Sequence, residues 1–119
     1  MNRICTTIEE SKHLLELGID PETADMSWYG TLAGNFYPYI GIHDYDSIPA
    51  WSLEALLELI PTDNANWYLD ESKSMDYISD DEGKTRYTGE KESYIEAAYT
   101  LVAALLKNGD IKPVEQEEE

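Results

Sequence analysis

The chain of 119 residues is the length of one domain, and its 25 acidic against 8 basic residues give a formal net charge of −17. A surface of that sign repels phosphates and anionic lipid, which excludes a conventional Lys/Arg-driven nucleic-acid binder. Hydrophobic residues at 42% suffice for a packed core and exclude a disordered chain, while the single Cys5 excludes an intramolecular disulfide and a Cys-based zinc site.

The first element is a helix. Thr6-x-x-Glu9 and Thr7-x-x-Glu10 both match a capping box at its start. Ile8, Leu14, Leu15 and Leu17 supply its apolar side, Gly18 takes the left-handed position that ends it, and Ile19 packs back on Leu14. Asp20-Pro21 then fits a one-turn restart, with Pro tolerated in a first turn. Residues 26–29 and 35–42 read as two strands around the loop "GTLAGN", and Pro38 places the second at a sheet edge.

The next segment, "IPAWSLEALLELIP", raises a choice. Leu53-x-x-Leu56-Leu57 is a spacing used by helices that dock in a partner's groove. Yet Leu53, Leu56, Leu57 and Ile60 form one continuous stripe, Glu54 and Glu58 point away, and Pro61 ends the segment. A domain this small needs those aliphatic side chains in its core, so the stripe is read as structural. Ser52 is its N-cap and Trp51 a staple onto Leu56. Three short β segments follow, starting at Asn66, Met75 and Lys84, joined by the polar turns "SKS" and "DDEG" as in a meander. The last helix is capped by the Ser93-x-x-Glu96 box, carries Ile95, Ala98, Val102, Leu105 and Leu106 at helical spacing, and ends at Asn108-Gly109.

The order α-β-β-α-β-β-β-α predicts an α+β fold, with three helices packed on one face of a mainly antiparallel sheet. Residues 1–113 are expected to form a single domain and residues 114–119 an acidic, flexible tail. The acidic excess persists when the tail's glutamates are set aside. "MNRICTTIEES" lacks the apolar run of a signal peptide, and no stretch approaches the roughly twenty apolar residues of a membrane span. A cytoplasmic protein that contacts neither membrane nor nucleic acid directly is therefore expected.

The segments "CTTIEESKHLLELGID", "ETADM", "IPAWSLEALLELIP" and "IEAAYTLVAALLKNGDIK" together resemble a family of short uncharacterised acidic proteins of gut Bacteroidales bacteria and their phages and mobile elements. The resemblance covers the two ends and the middle of the chain, about half its length by eye. Its motifs are caps, core faces and stops. Members of that family often open the last helix with Pro, where this chain has Tyr94 after Ser93. The resemblance implies a small α+β protein linked to a mobile element, and it carries over no active site.

Chemistry-bearing clusters are few. "HDYD", His43 to Asp46, sets an imidazole beside carboxylates, and a small metal-dependent enzyme around His43, Asp44 and Asp46 is one reading of it. The plainer reading is a polar loop. A calcium loop started at Asp44 would put Ala55 where a bidentate Glu is required, and His13 could join only through folding. "SDDEG" reads as a hairpin turn and Cys5 as a buried thiol. No catalytic, cofactor-binding or metal-ligating residue is assigned, and no cofactor is expected.

Nine Tyr and three Trp stand against one Phe. Trp28, Tyr29, Phe36, Tyr37, Tyr39 and Tyr45 concentrate around the two early strands, where alternation must turn some of these rings away from the core. Exposed Tyr and Trp favour protein contacts. They form the candidate interaction surface of a non-catalytic accessory module with a protein partner; a homodimer is left open. The alternative class is a DNA mimic that offers carboxylate rows to a nucleic-acid-binding or defence protein.

With so many carboxylates and few bases, self-repulsion opposes folding at neutral pH and low salt. Raising ionic strength from about 0.02 to 0.3 M is expected to raise the melting temperature modestly. A flat or falling melting temperature over that range would show that the charges are already paired or well dispersed.

Overall fold

In the computed structural model, residues 4–30, 34, 36–40, 47–62, 65–79 and 85–114 are described. The chain begins with α1 (Ile8–Glu16). Of the two overlapping capping boxes, Thr7 makes the real one. Its hydroxyl accepts from the Glu10 N–H at 3.0 Å, and its own N–H donates to Glu10 Oε1 at 2.9 Å. Thr6 is unavailable for that role because its side chain is buried and bonded elsewhere. At the other end Gly18, at φ +94°, closes the helix as expected. The Ile19 N–H reaches back to the Leu14 carbonyl at 3.1 Å and the Gly18 N–H to Leu15 at 3.1 Å, and Leu14 and Ile19 are both buried. Pro113 lies so close that a Cβ built on Gly18 would sit 2.4 Å from the Pro113 Cβ, and the Val114 N–H donates to the Gly18 carbonyl at 2.7 Å.

A single 3-10 turn (Pro21–Thr23), capped by Asp20, leads into β1 (Met26–Gly30). β1 is the middle of a three-stranded antiparallel sheet, between β2 (Phe36–Ile40) and β3 (Ile48–Ala50). Both neighbours are edge strands and both contain proline, Pro38 and Pro49, at positions where an edge tolerates the missing N–H. β3 is one strand more than the sequence pattern predicts. α2 (Leu53–Leu59) follows at once. The Ser52 hydroxyl accepts from the Ala55 N–H at 3.2 Å and donates to Asp25 Oδ2, while the Ser52 N–H donates to Asp25 Oδ1 at 2.9 Å. Asp25 thereby fixes where α2 starts relative to β1.

The second half is a meander, as expected. β4 (Ala65–Leu69), β5 (Met75–Ser79) and β6 (Thr85–Tyr87) pair antiparallel in that order and form a second sheet, separate from the first. α3 (Tyr94–Asn108) runs from its Ser93 cap to Gly109 at φ +83°. The Ser93 hydroxyl accepts from the Glu96 N–H at 3.0 Å, and Glu96 Oε2 accepts from the Glu92 N–H at 3.3 Å. The fold is α+β: three helices and two small antiparallel sheets in one domain.

The main core lies between the three helices and the inner face of the second sheet, with Leu14 of α1, Ile19 and Trp51 buried in it. Leu56 and Ile60 of the leucine stripe are buried, with Leu53 and Leu57 packed at its margin and Glu54 and Glu58 exposed. The stripe is therefore committed to α3 and cannot also serve as a docking face. From α3 come Ile95, Ala98, Leu101, Val102, Leu105 and Leu106; from β5 come Met75 and Tyr77. A smaller cluster of Cys5, Met26 and Ala50, with Trp28 against it, lies under the first sheet. The molecule is 18 Å thin along its shortest axis, about one helix layer on one sheet layer.

Leu56 is fully buried opposite α3, and Leu56→Ala leaves a cavity there. A loss of about 2–5 kcal/mol is expected by chemical denaturation. An unchanged midpoint would mean that the stripe does not carry the core.

Candidate functional site

Register decides where the early aromatic residues point. Directly paired residues of antiparallel strands share a face. Trp28, opposite Pro38 and Ile48, therefore shares a face with Met26, Gly30, Phe36 and Ile40, whereas Tyr29 stands opposite Tyr37 on the other face. Trp28 belongs to the fold. It is half-buried against the small cluster, and its indole N–H donates to the Thr6 carbonyl at 2.8 Å. Phe36 lies across Gly30, where a Cβ would meet its ring at 3.0 Å, and it remains 45% exposed. Tyr37 is 50% and Ile40 88% exposed, and Tyr29 is also exposed. Strand β2 thus presents large apolar side chains on both faces. Tyr39 pairs with Ser27, but its side chain, together with Tyr45 and the whole His43–Asp46 cluster, lies outside the described residues.

The second sheet carries an aromatic surface that the sequence reading passed over. Its inner face holds Ala65, Trp67, Leu69, Met75 and Tyr77 against the core. Its outer face places Tyr68 opposite Asp76 and Asp76 opposite Tyr87, one continuous row across the three strands. Tyr68 is 58% and Tyr87 62% exposed, with Ile78 exposed in the next row. The alternation of "NWYLD" and the spacing of "MDYIS" hold this information, but the row exists only once the strand register is known.

His13 is held within the fold, between two helices. His13 Nδ1 on α1 lies 2.5 Å from the Tyr99 hydroxyl on α3, with the rings edge to face at 5.9 Å. Burial pushes the Tyr99 phenol above its ordinary value, and the nearby Glu10 carboxylate pushes the same way. A phenol held protonated is a hydrogen-bond partner rather than a nucleophile. Among the described residues no three His, Cys, Asp or Glu side chains converge as a metal site, and no helix is long and apolar enough to cross a membrane.

Comparison of the chain with protein-family models, with curated proteins and with solved structures finds no match in any of the three.

Tyr99 yields a pH dependence. A phenol whose value is raised on folding favours the folded state fully below its unfolded value of 10.0, and that contribution is lost as pH rises through the raised value. In Tyr99→Phe the fall of stability above pH 10 is expected to be shallower than in the parent, measured by denaturant titration across that range. Equal slopes in both proteins would contradict burial as the cause.

Proposed function

We propose that the chain is a non-catalytic acidic interaction module that docks a positively charged protein partner on strand β2. One observation carries this reading: Phe36, Tyr37 and Ile40 are exposed on both faces of one edge strand. A strand that served only to cover the core would bury one of its faces. Aromatic side chains of this kind supply the desolvated centre of protein contacts. The outer edge of β2 carries no further strand among the described residues, the kind of edge that a partner segment can extend. The −17 net charge selects a partner of opposite sign and speeds encounter with it. The resemblance to proteins of phages and mobile elements supports a setting in which such a partner belongs to the element or to its host.

The rival reading, a DNA mimic, draws on the exposed pair Glu54 and Glu58, which a helix sets about 6 Å apart, near phosphate spacing. A mimic needs rows of such groups. On α1 the corresponding row is broken, because exposed Lys12 stands between Glu9 and Glu16.

The test is capture by the tagged protein at low and high salt, beside a Phe36→Ser, Tyr37→Ser variant whose fold is checked by circular dichroism. A basic protein retained at high salt by the parent and lost by the variant is the expected result. Capture that vanishes with salt and ignores the variant would overturn docking on β2 and favour charge mimicry.

A further inference from the structure

The outer face of the second sheet has chemistry that the apolar β2 strand lacks. Tyr68 and Tyr87 stand on β4 and β6, with Asp76 on β5 directly between them. Two strand spacings separate the tyrosine backbones by about 10 Å, so a group seated midway lies about 5 Å from each strand. A cation within about 6 Å of a tyrosine ring is attracted by it, and that position is also above the Asp76 carboxylate. We propose that Tyr68, Asp76 and Tyr87 form a notch that takes an arginine guanidinium from a basic segment of a partner protein.

The guanidinium is favoured over an ammonium for two reasons. It is flat, and it stacks on aromatic walls while its fork meets a carboxylate in a bidentate pair. It is also weakly hydrated, so it loses less on leaving water. A compact lysine ammonium is attracted by the rings too, but it cannot stack flat or pair bidentately and it loses more hydration.

The notch is open to such a group. Asp76 makes no ion pair or side-chain hydrogen bond among the described residues, and both tyrosines are exposed. Arg86 comes from the same strand as Tyr87 but shares the opposite face with Tyr77, where it pairs with Asp110 at 3.6 Å. Asp70, two residues beyond Tyr68, is exposed and adds a second carboxylate toward the hairpin. Lys73 and Lys91 meet through their backbones at that end, at 3.0 Å, beyond the tyrosine row. The charge of the whole molecule, −17, draws a basic segment to the face before the notch sorts its side chains.

This inference rests on reading the chain as an interaction module, but it stands on a different sheet and has its own test. The probes are two short peptides of alternating glycine with arginine or with lysine, titrated into isotope-labelled full-length protein and followed by amide chemical shifts. The arginine peptide is expected to bind about threefold or more tighter than the lysine peptide, with shifts centred on Tyr68, Asp76 and Tyr87. Tyr68→Ala, Tyr87→Ala leaves the charge unchanged and is expected to weaken the arginine peptide about tenfold and the lysine peptide less, so that the arginine preference is lost. Tyr68→Phe, Tyr87→Phe keeps the rings and is expected to retain binding. Equal affinity for both peptides, or shifts spread over the acidic surface, would overturn the notch, and the shift map needs no variant to fold. If the notch fails while β2-dependent capture persists, the interaction module stands; if capture fails and the arginine preference holds, β2 is the error.

Discussion

The fold hangs on the bond pair between Thr6 and Trp51. The Thr6 N–H donates to the Trp51 carbonyl at 2.9 Å, and the Trp51 N–H donates to the Thr6 hydroxyl at 3.1 Å. That hydroxyl also meets Ser11 Oγ at 2.7 Å, and the Thr6 carbonyl accepts from the Trp28 indole. Trp51 is fully buried, and its own indole N–H donates to Thr23 Oγ1 at 3.0 Å, which in turn donates to the Asp20 carbonyl at 2.6 Å. One buried cluster therefore ties the approach to α1, the 3-10 turn, β1 and the start of α2. Each of these groups is satisfied only while the others stay in place, and a buried polar group left without its partner costs about 1–3 kcal/mol.

That seam explains why the surface is built as it is. Trp51 belongs to the main core with Leu14 of α1, α2, α3 and the second sheet, while the first sheet keeps only the small cluster of Cys5, Met26 and Ala50. The resulting slab is too thin to cover both faces of either sheet. On the first sheet the uncovered side chains are mainly apolar and extend to an edge strand. On the second they are two tyrosines around a carboxylate. One fold thus offers two surfaces of different chemistry under a common acidic field.

Much of this was legible in residue order. Gly18, Ser52, Ser93 and Gly109 punctuate helices through local chemistry, and the Leu56–Ile60 stripe and the α3 periodicity follow from a single turn-by-turn rule. Pro38 marked its edge strand for the same reason, a missing N–H. The short strand β3 was not legible, because three residues with Pro49 at their centre show no alternation. The choice between Thr6 and Thr7 as cap was also hidden, since it depends on Trp51, far along the chain. Nor could residue order show that six strands divide into two sheets. At the candidate surface, alternation places Tyr29 and Tyr37 on the face away from the small cluster, but it could not show that Phe36 stays exposed on the other face or that Trp28 is held by Thr6. The Tyr68–Asp76–Tyr87 row depends on cross-strand register, which the pattern of any one strand does not contain.

The most direct test of the seam is native-state hydrogen exchange at the Thr6 and Trp51 amides. If this pair holds the domain together, both amides exchange only through global unfolding, with protection equal to that of Leu101 and Val102 in the middle of α3. Exchange at Thr6 and Trp51 through a local opening, while α3 stays protected, would contradict it and make the first sheet a separately mobile unit.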